Sequence, residues 1–376
     1  MTVGEFKMKL RDRFPYRIYF EKRIETVTGW QSLLITVAAV AVALFIGGII
    51  LVIAGGDPFA TYAHIARASF GSLGVLSDTL VKATPLIFVG LACSLAFRMR
   101  LWNIGAEGQF YLGAFGASAV VLIPLLPEDA PKWIWLLTMG VSGMVCGALW
   151  GAIPGLLKAQ FKVNEVISTL MMNYIAIAFC NYFIFGMWSD GGFQMSPKFP
   201  KIAWLPRLTD YAKQFDWMAG LTTHAGFIIA VVLAVLVWFI LYRSKWGYEI
   251  RLIGDNDRAA EYAGIGIKKN IVFVMIVSGA LAGLAGFSEV SGVVHRFQGA
   301  ISPGYGFTGI IIAWLAKLNP FAVVPVSVLF GALILAGREI QPAGIPKMIQ
   351  GIILVCLIAS DFFLRYHIRF VRKEVA

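Results

Sequence analysis

Ten stretches of this chain are apolar enough to sit in a lipid bilayer, and nothing else in the sequence restricts the fold as strongly. A helix rises about 1.5 Å per residue, so roughly 20 apolar residues cover about 30 Å of hydrocarbon. The stretches run approximately 31–54, 80–98, 108–127, 133–157, 166–187, 222–242, 271–292, 306–318, 321–337 and 347–364. They are continuously apolar rather than alternating, which selects helices over a β-barrel. The second holds Lys82, and the eighth is too short to cross without tilt or help from its neighbours. The expected fold is an all-α polytopic membrane protein of about ten transmembrane helices.

Charge sets the orientation. Only 14% of residues are charged, against about 25% in a typical soluble domain. The net charge of +11 would suit a nucleic acid if it were gathered on one face. It is spread beside the apolar runs instead: Lys7 to Arg23, Arg98 and Arg100, Lys158 and Lys162, Arg243 to Lys269, and Arg365 to Lys373. All of these fall on one side when the N-terminus is placed inside, as the positive-inside rule requires. An even number of spans then brings the C-terminus inside as well. Residues 1–30 form a basic cytoplasmic segment, 31–364 the transmembrane domain and 365–376 a cytoplasmic tail. The first run is too long for a signal-peptide core and should stay as an anchor. Cys93, Cys146, Cys180 and Cys356 all lie in apolar runs without metal-ligand spacing, so no metal site is expected.

Two polar segments stand out. The outer one, 188–222, has several prolines and the turn Asp190-Gly191-Gly192, and reads either as a rest for an extracytoplasmic partner or as a solvated connector. In the inner one, 243–270, Asp255, Asn256 and Asp257 offer N-capping oxygens, Ala259, Ala260 and Ala263 a small apolar face, and Gly264 a stop. That pattern predicts a short helix on the inner face of the membrane, able to seat in a groove of another protein.

With the first span left out, spans two to five and seven to ten form two sets of four with inverted topology. Each set has a glycine-broken polar stretch before its second helix: Asn103 to Gln109 in one, Ser302 to Gly306 in the other. Interrupted segments at matching places in two halves point to a transport site. Glu107 either faces that path or caps the third helix; a charge there costs roughly 2.5–3.5 kcal/mol on insertion scales, and the cap is the favoured reading. Asn103 and Gln109 are then the better path candidates. On the fifth span, Asn173 and Tyr174 recur eight residues later as Asn181 and Tyr182, so like residues share a face. Amides and aromatics suit a sugar or a base, or alternatively bond between helices. Glu289, Ser291 and His295 approach the outer end of the seventh span, and the small residues of Gly279 to Gly286 read as a packing surface. No GxxxxGK[ST] loop and no catalytic context for serine, histidine or acid is found, so the chain itself is not expected to be an enzyme.

Four stretches together resemble the permease family of nucleoside and simple-sugar ABC importers, which is related to ribose and branched-chain amino-acid permeases. They are Trp102 to Gln109 with Gly113-Ala114; Gly151 to Lys158 leading to Asn164 to Tyr174; Gly254-Asp255-Asn256 with Ala259-Ala260 and Gly264-Ile265; and Gly304 to Phe307 with Asn319-Pro320. The likeness covers most of 30–365. It departs at Trp314-Leu315-Ala316-Lys317, where the family shows a Leu-Gly turn. The resemblance implies a multi-pass protein of the bacterial inner membrane. It also implies a second homologous permease, a cytoplasmic ATPase that binds ATP and Mg, and an extracytoplasmic solute-binding lipoprotein. The segment around Gly254, Asp255, Asn256, Ala259, Ala260 and Gly264 would then be the helix that couples to the ATPase.

The expected function is therefore alternating-access import, driven by a separate ATPase, with a nucleoside as solute and a simple sugar such as ribose as the alternative. Asn103, Glu107, Gln109, Asn173, Tyr174 and Asn181 are the candidates for its path. An ion-coupled secondary carrier would show paired intramembrane carboxylates, and an intramembrane enzyme an acid or histidine constellation at the boundary.

Overall fold

The computed structural model describes residues 16–22, 29–127, 129–337 and 344–372. From strand β1 (Tyr16–Lys22) the chain passes into α1 (Gly29–Ile53), α2 (Pro58–Phe70) and α3 (Leu73–Arg98). There follow α4 (Ala106–Leu122), α5 (Lys132–Phe161) and α6 (Glu165–Phe185). An outer segment of short 3-10 turns leads to α7 (Ala225–Arg243), α8 (Lys245–Asp255), α9 (Asp257–Tyr262) and α10 (Ile267–Glu289), which runs on through a π turn at Val290–Val294. Last come α11 (Tyr305–Leu315), α12 (Pro320–Ala336), α13 (Ile345–Arg365) and strand β2 (Tyr366–Arg372).

Each of the ten apolar runs carries a helix: α1, α3 to α7 and α10 to α13. Among the described residues, six of these helices are long and apolar enough to cross a membrane by themselves. The protein is an all-α polytopic membrane protein. Its two strands form only an antiparallel ribbon that joins the ends of the chain, Tyr16 opposite Arg372 and Lys22 opposite Tyr366. The ribbon brings the segment before α1 beside the segment after α13. By contacts the chain divides into a unit of residues 1–58 with 347–376 and a unit of residues 59–346.

In the larger unit the packing is reciprocal. α10 lies along α5 and α4, while α3 lies along α12 and α11. The pairs exchange when the two proposed sets of helices are exchanged, which is the arrangement an inverted duplication produces. The α10–α5 contact is backbone against backbone: a Cβ at Gly279 or Gly283 would collide with the carbonyls of Gly147 and Gly143. Lipid offers no hydrophobic drive for helix association, so such close approach is the main source of attraction.

Three local features differ from expectation. α2 was not foreseen, and α3 begins well before residue 80, where Ser72 caps it by accepting from the Val75 amide at 3.3 Å. Lys82 does not interrupt α3 because its ammonium meets the carboxylate of Glu289 on α10 at 3.4 Å. The turn after α11 is built without the family's glycine: Lys317 and Leu318 both take left-handed φ, 51° and 57°. Asn319 then starts α12 by accepting from the Phe321 amide at 3.0 Å.

Candidate functional site: crossed half-helices and an exposed inner helix

The two glycine-broken stretches meet. α4 and α11 are short, 17 and 11 residues, and their N-termini converge inside the larger unit. Glu107, 3% exposed, accepts from the Gly306 amide at 2.6 Å. It thus caps α11, the helix of the opposite set, where the sequence favoured a cap on its own helix. A helix start offers unpaired amides and a partial positive charge, so a carboxylate is stabilised there even when buried. Gly306 is obligatory at this crossing, because a Cβ would run into the backbone of Glu107.

The start of α4 is capped from elsewhere. Asn173 on α6 accepts from the Gly108 amide at 2.8 Å and donates to the Ile104 carbonyl at 2.9 Å. Expected on the path, it is 2% exposed and spends its amide on the α4 backbone. Asn103, fully buried, donates to Gln109 Oε1 at 3.0 Å and to Ser278 Oγ at 2.9 Å on α10. Its own oxygen accepts from the Gly105 amide at 3.1 Å and from Gln109 Nε2 at 3.2 Å. Ser278 Oγ donates to the Ala92 carbonyl of α3 at 2.8 Å. The network ties α3, α4 and α10 together, and every amide in it has a partner, which is what a buried polar cluster needs in order to persist.

The remaining path candidates face outward. Tyr174 is 64% and Tyr182 77% exposed on α6, and Asn181 is half-buried beside them. The eight-residue spacing does place the two tyrosines on one face, with Ala178 exposed between them.

Around the outer end of α10 the structure gathers residues that the sequence left scattered. Lys82, Glu289 and the Tyr305 hydroxyl form a buried group, the ammonium donating to Glu289 at 3.4 Å and to Tyr305 at 3.5 Å. The outer segment is stitched to the π turn. Ser291 Oγ donates to the Ala203 carbonyl at 2.6 Å, and the Leu205 amide donates to the Ser291 carbonyl at 3.0 Å. Arg207 donates to the Gly292 carbonyl at 2.8 Å and to His295 Nε2 at 2.7 Å. Arginine only donates, so His295 accepts and is neutral. Trp204 stacks on its ring at 3.8 Å. Burial first, then Arg207, lower the His295 pKa to about 4. His224 caps α7, its Nδ1 accepting from the Gly226 amide at 3.1 Å.

On the inner side one helix was expected and two are present. α8 is anchored: Gly254 is buried against the backbone of Arg98 and Met99, and Trp246 donates to Asn270 of α10 at 2.9 Å. α9 begins at Asn256, which accepts from the Ala259 amide at 3.2 Å, and ends at Gly264 with φ +74°. Both features match the capping read from the sequence. The apolar face is divided, however. Ala260 is fully buried within the chain and Ala259 half-buried, while Asp255, Asn256, Ala263 and Gly264 are exposed. Tyr262, which sequence reasoning passed over, is 94% exposed. Its position two residues before the Gly264 stop was the available signal.

Comparison with known proteins places this architecture. Residues 75–358 match the family described as "branched-chain amino acid transport system / permease component". A glucose ABC transporter permease of Haloferax volcanii is 34% identical over 351 residues, 91% of each chain. A guanosine ABC transporter permease of Bacillus subtilis is 34% identical over 357 residues, 92% of this chain and 98% of its own. A nucleoside ABC transporter permease of Lactococcus lactis subsp. cremoris is 30% identical over 341 residues, 87% of this chain and 90% of its own. With six long apolar helices and several shorter ones among the described residues, two crossed half-helices and this extent of match, the chain belongs to the branched-chain amino acid transport system permease family and is a multi-pass ABC transporter permease of the cell membrane.

Proposed function

We propose that this permease carries nucleosides inward by alternating access, driven by ATP and Mg bound on a separate cytoplasmic ATPase. A second homologous permease and an extracytoplasmic solute-binding lipoprotein complete the assembly. The observation that carries the choice of solute is that, among the described residues, each charge at the candidate path is already engaged within the protein. Lys82 faces Glu289, Glu107 is bonded to a helix start, and the groups that look outward from α6 are tyrosines and an amide. Phenol rings stack on a planar base, and an amide reads ring edges and hydroxyls. A charged solute would call for a countercharge of its own. Relatives named for guanosine and nucleosides support the same choice.

A simple sugar is the second reading, favoured by the relative named for glucose. The experiment is uptake of labelled nucleosides by cells lacking this chain, with and without complementation, and with ribose or glucose as competitor. Restored nucleoside uptake that excess sugar does not depress supports the proposal. Restored sugar uptake with no nucleoside uptake overturns it in favour of the second reading. Solute concentrated by the purified chain alone in sealed vesicles, with no ATPase present, overturns the ATP-driven mechanism.

In this scheme α9 transmits the ATPase's motion, with Gly254, Asp255, Asn256, Ala259, Ala260 and Gly264 shaping the lever. The contact itself falls to its exposed groups, Tyr262 foremost. Ala260 acts from within the fold by setting the helix against its support.

A further inference from the structure

At the cytoplasmic end of α10 the surface is hollowed beside α5. The hollow is about 370 Å³ and is lined by Ala159 and Gln160 of α5 and by Lys268, Lys269, Phe273 and Ile276 of α10. Its floor is apolar; its mouth carries two lysines, both exposed, with no carboxylate in ion-pair range among the described residues. Nearby Lys158 differs, being tied to Glu165 at 2.7 Å. On the other side of Phe273 a second hollow shares Lys269 and adds Lys245 and Trp246. The acid of that hollow, Glu249, is engaged by the Asn270 amide at 3.0 Å.

Depth decides what can enter. Lys268 is the second residue of α10 and Ile276 lies eight residues on, about 12 Å further into the membrane. The lysines therefore stand at headgroup level, and Phe273 and Ile276 below it. Trp246, whose ring packs on Phe273 at 4.8 Å, marks the same level, since indoles concentrate at the boundary of a bilayer. A positive-inside signal alone requires lysines near this end of the helix, but it requires no groove beneath them. A soluble partner reaches the lysines but not an apolar floor that lies at acyl-chain depth.

We propose that this groove binds one anionic phospholipid of the inner leaflet, its phosphate between Lys268 and Lys269 and an acyl chain along Phe273 and Ile276. Paired lysines beside a groove between membrane helices suit an anionic headgroup, each contributing about 1 kcal/mol near the surface. The bound lipid would hold the Gly264–Gly266 turn, which leads from α9 into α10, at a fixed level of the membrane.

The test is native mass spectrometry of the assembled transporter taken from nanodiscs of phosphatidylcholine with added phosphatidylglycerol. The expected result is retention of phosphatidylglycerol in excess of its share of the bilayer. Retention should fall about thirtyfold in K268Q/K269Q, the fold-change that two lysines at ~1 kcal/mol each predict, and be kept in K268R/K269R. Ile276→Trp, which fills the floor and leaves the charges, should also release the lipid. Equal retention by wild type and both disrupting variants overturns the proposal. So does release of the lipid by inorganic phosphate alone, or a Lys269 photo-crosslink that goes to the ATPase and not to lipid.

Discussion

The two ends of α10 are held in opposite ways. Outside, the segment between α6 and α7 surrounds the π turn, and its backbone and side chains are bonded to Ser291, Gly292, His295 and Phe297. Inside, the segment between α7 and α10 is fixed only as far as α8. Beyond Asn256 the chain inserts Ala260 and leaves Tyr262 in the open. The outer segment has used its hydrogen-bonding groups on this molecule, whereas the inner one keeps its most contact-ready side chain unspent. The proposed coupling role of α9 calls for such a contrast: a fixed far end and an exposed near one.

The largest effect should come from breaking the clamp at Lys82. Lys82→Met leaves Glu289 buried beside an apolar side chain, and removing one member of a buried pair costs about 3–5 kcal/mol. Thermal unfolding in detergent should show a large loss of Tm, and K82M/E289Q should recover most of it. A K82M protein as stable as the wild type would mean that the outer end does not depend on the pair.

Next is the mid-membrane crossing. Glu107→Ala removes a charge-assisted bond and strands the Gly306 amide, at about 1.5–3 kcal/mol, with Gln restoring part of it. Asn173→Leu should cost about 1–3 kcal/mol for the same reason, since it abandons a donor and an acceptor of the α4 backbone. It should leave the order of preference among solutes unchanged. A changed order with full stability would return Asn173 to the path.

Acid provides a milder probe of the outer clamp. His295 has a folded pKa of about 4, below the ordinary 6.5. A depressed histidine pKa contributes stability above 6.5, which is lost as pH falls toward the folded value. Between pH 6.5 and about 4 the outer segment should become progressively more open to protease, while cleavage near α9 stays unchanged.

The smallest structural effect belongs to the free end. Tyr262→Ala should move Tm by no more than about 0.5 kcal/mol equivalent, as an exposed site does, yet sharply reduce ATP-driven uptake. Ala260→Trp should lower stability and uptake together. Equal uptake by Y262A and wild type would shift the ATPase contact away from this tyrosine.

Hydropathy was enough to locate ten helices because each apolar run must satisfy its backbone internally in lipid. The crossed starts of α4 and α11 were legible as two glycine-broken stretches, and α9 as a cap and a stop. The partners were not. Glu107 finds its donor 199 residues away and Lys82 its acceptor 207 away, and no local pattern encodes either distance. Asn173 was read as a path residue because its spacing with Asn181 is visible, whereas its targets are backbone groups, which every residue has. α2 escaped notice because it is short and only partly apolar. The π turn has no signature in side-chain periodicity.

The Glu107 cap also sets an order of events during synthesis. At 5–20 residues per second the ribosome needs about 10–40 s to reach Gly306 once Glu107 has emerged. For that interval the acid has no α11 start to cap. A chain divided within the outer segment would leave Glu107 in one fragment and the helix start it caps in the other.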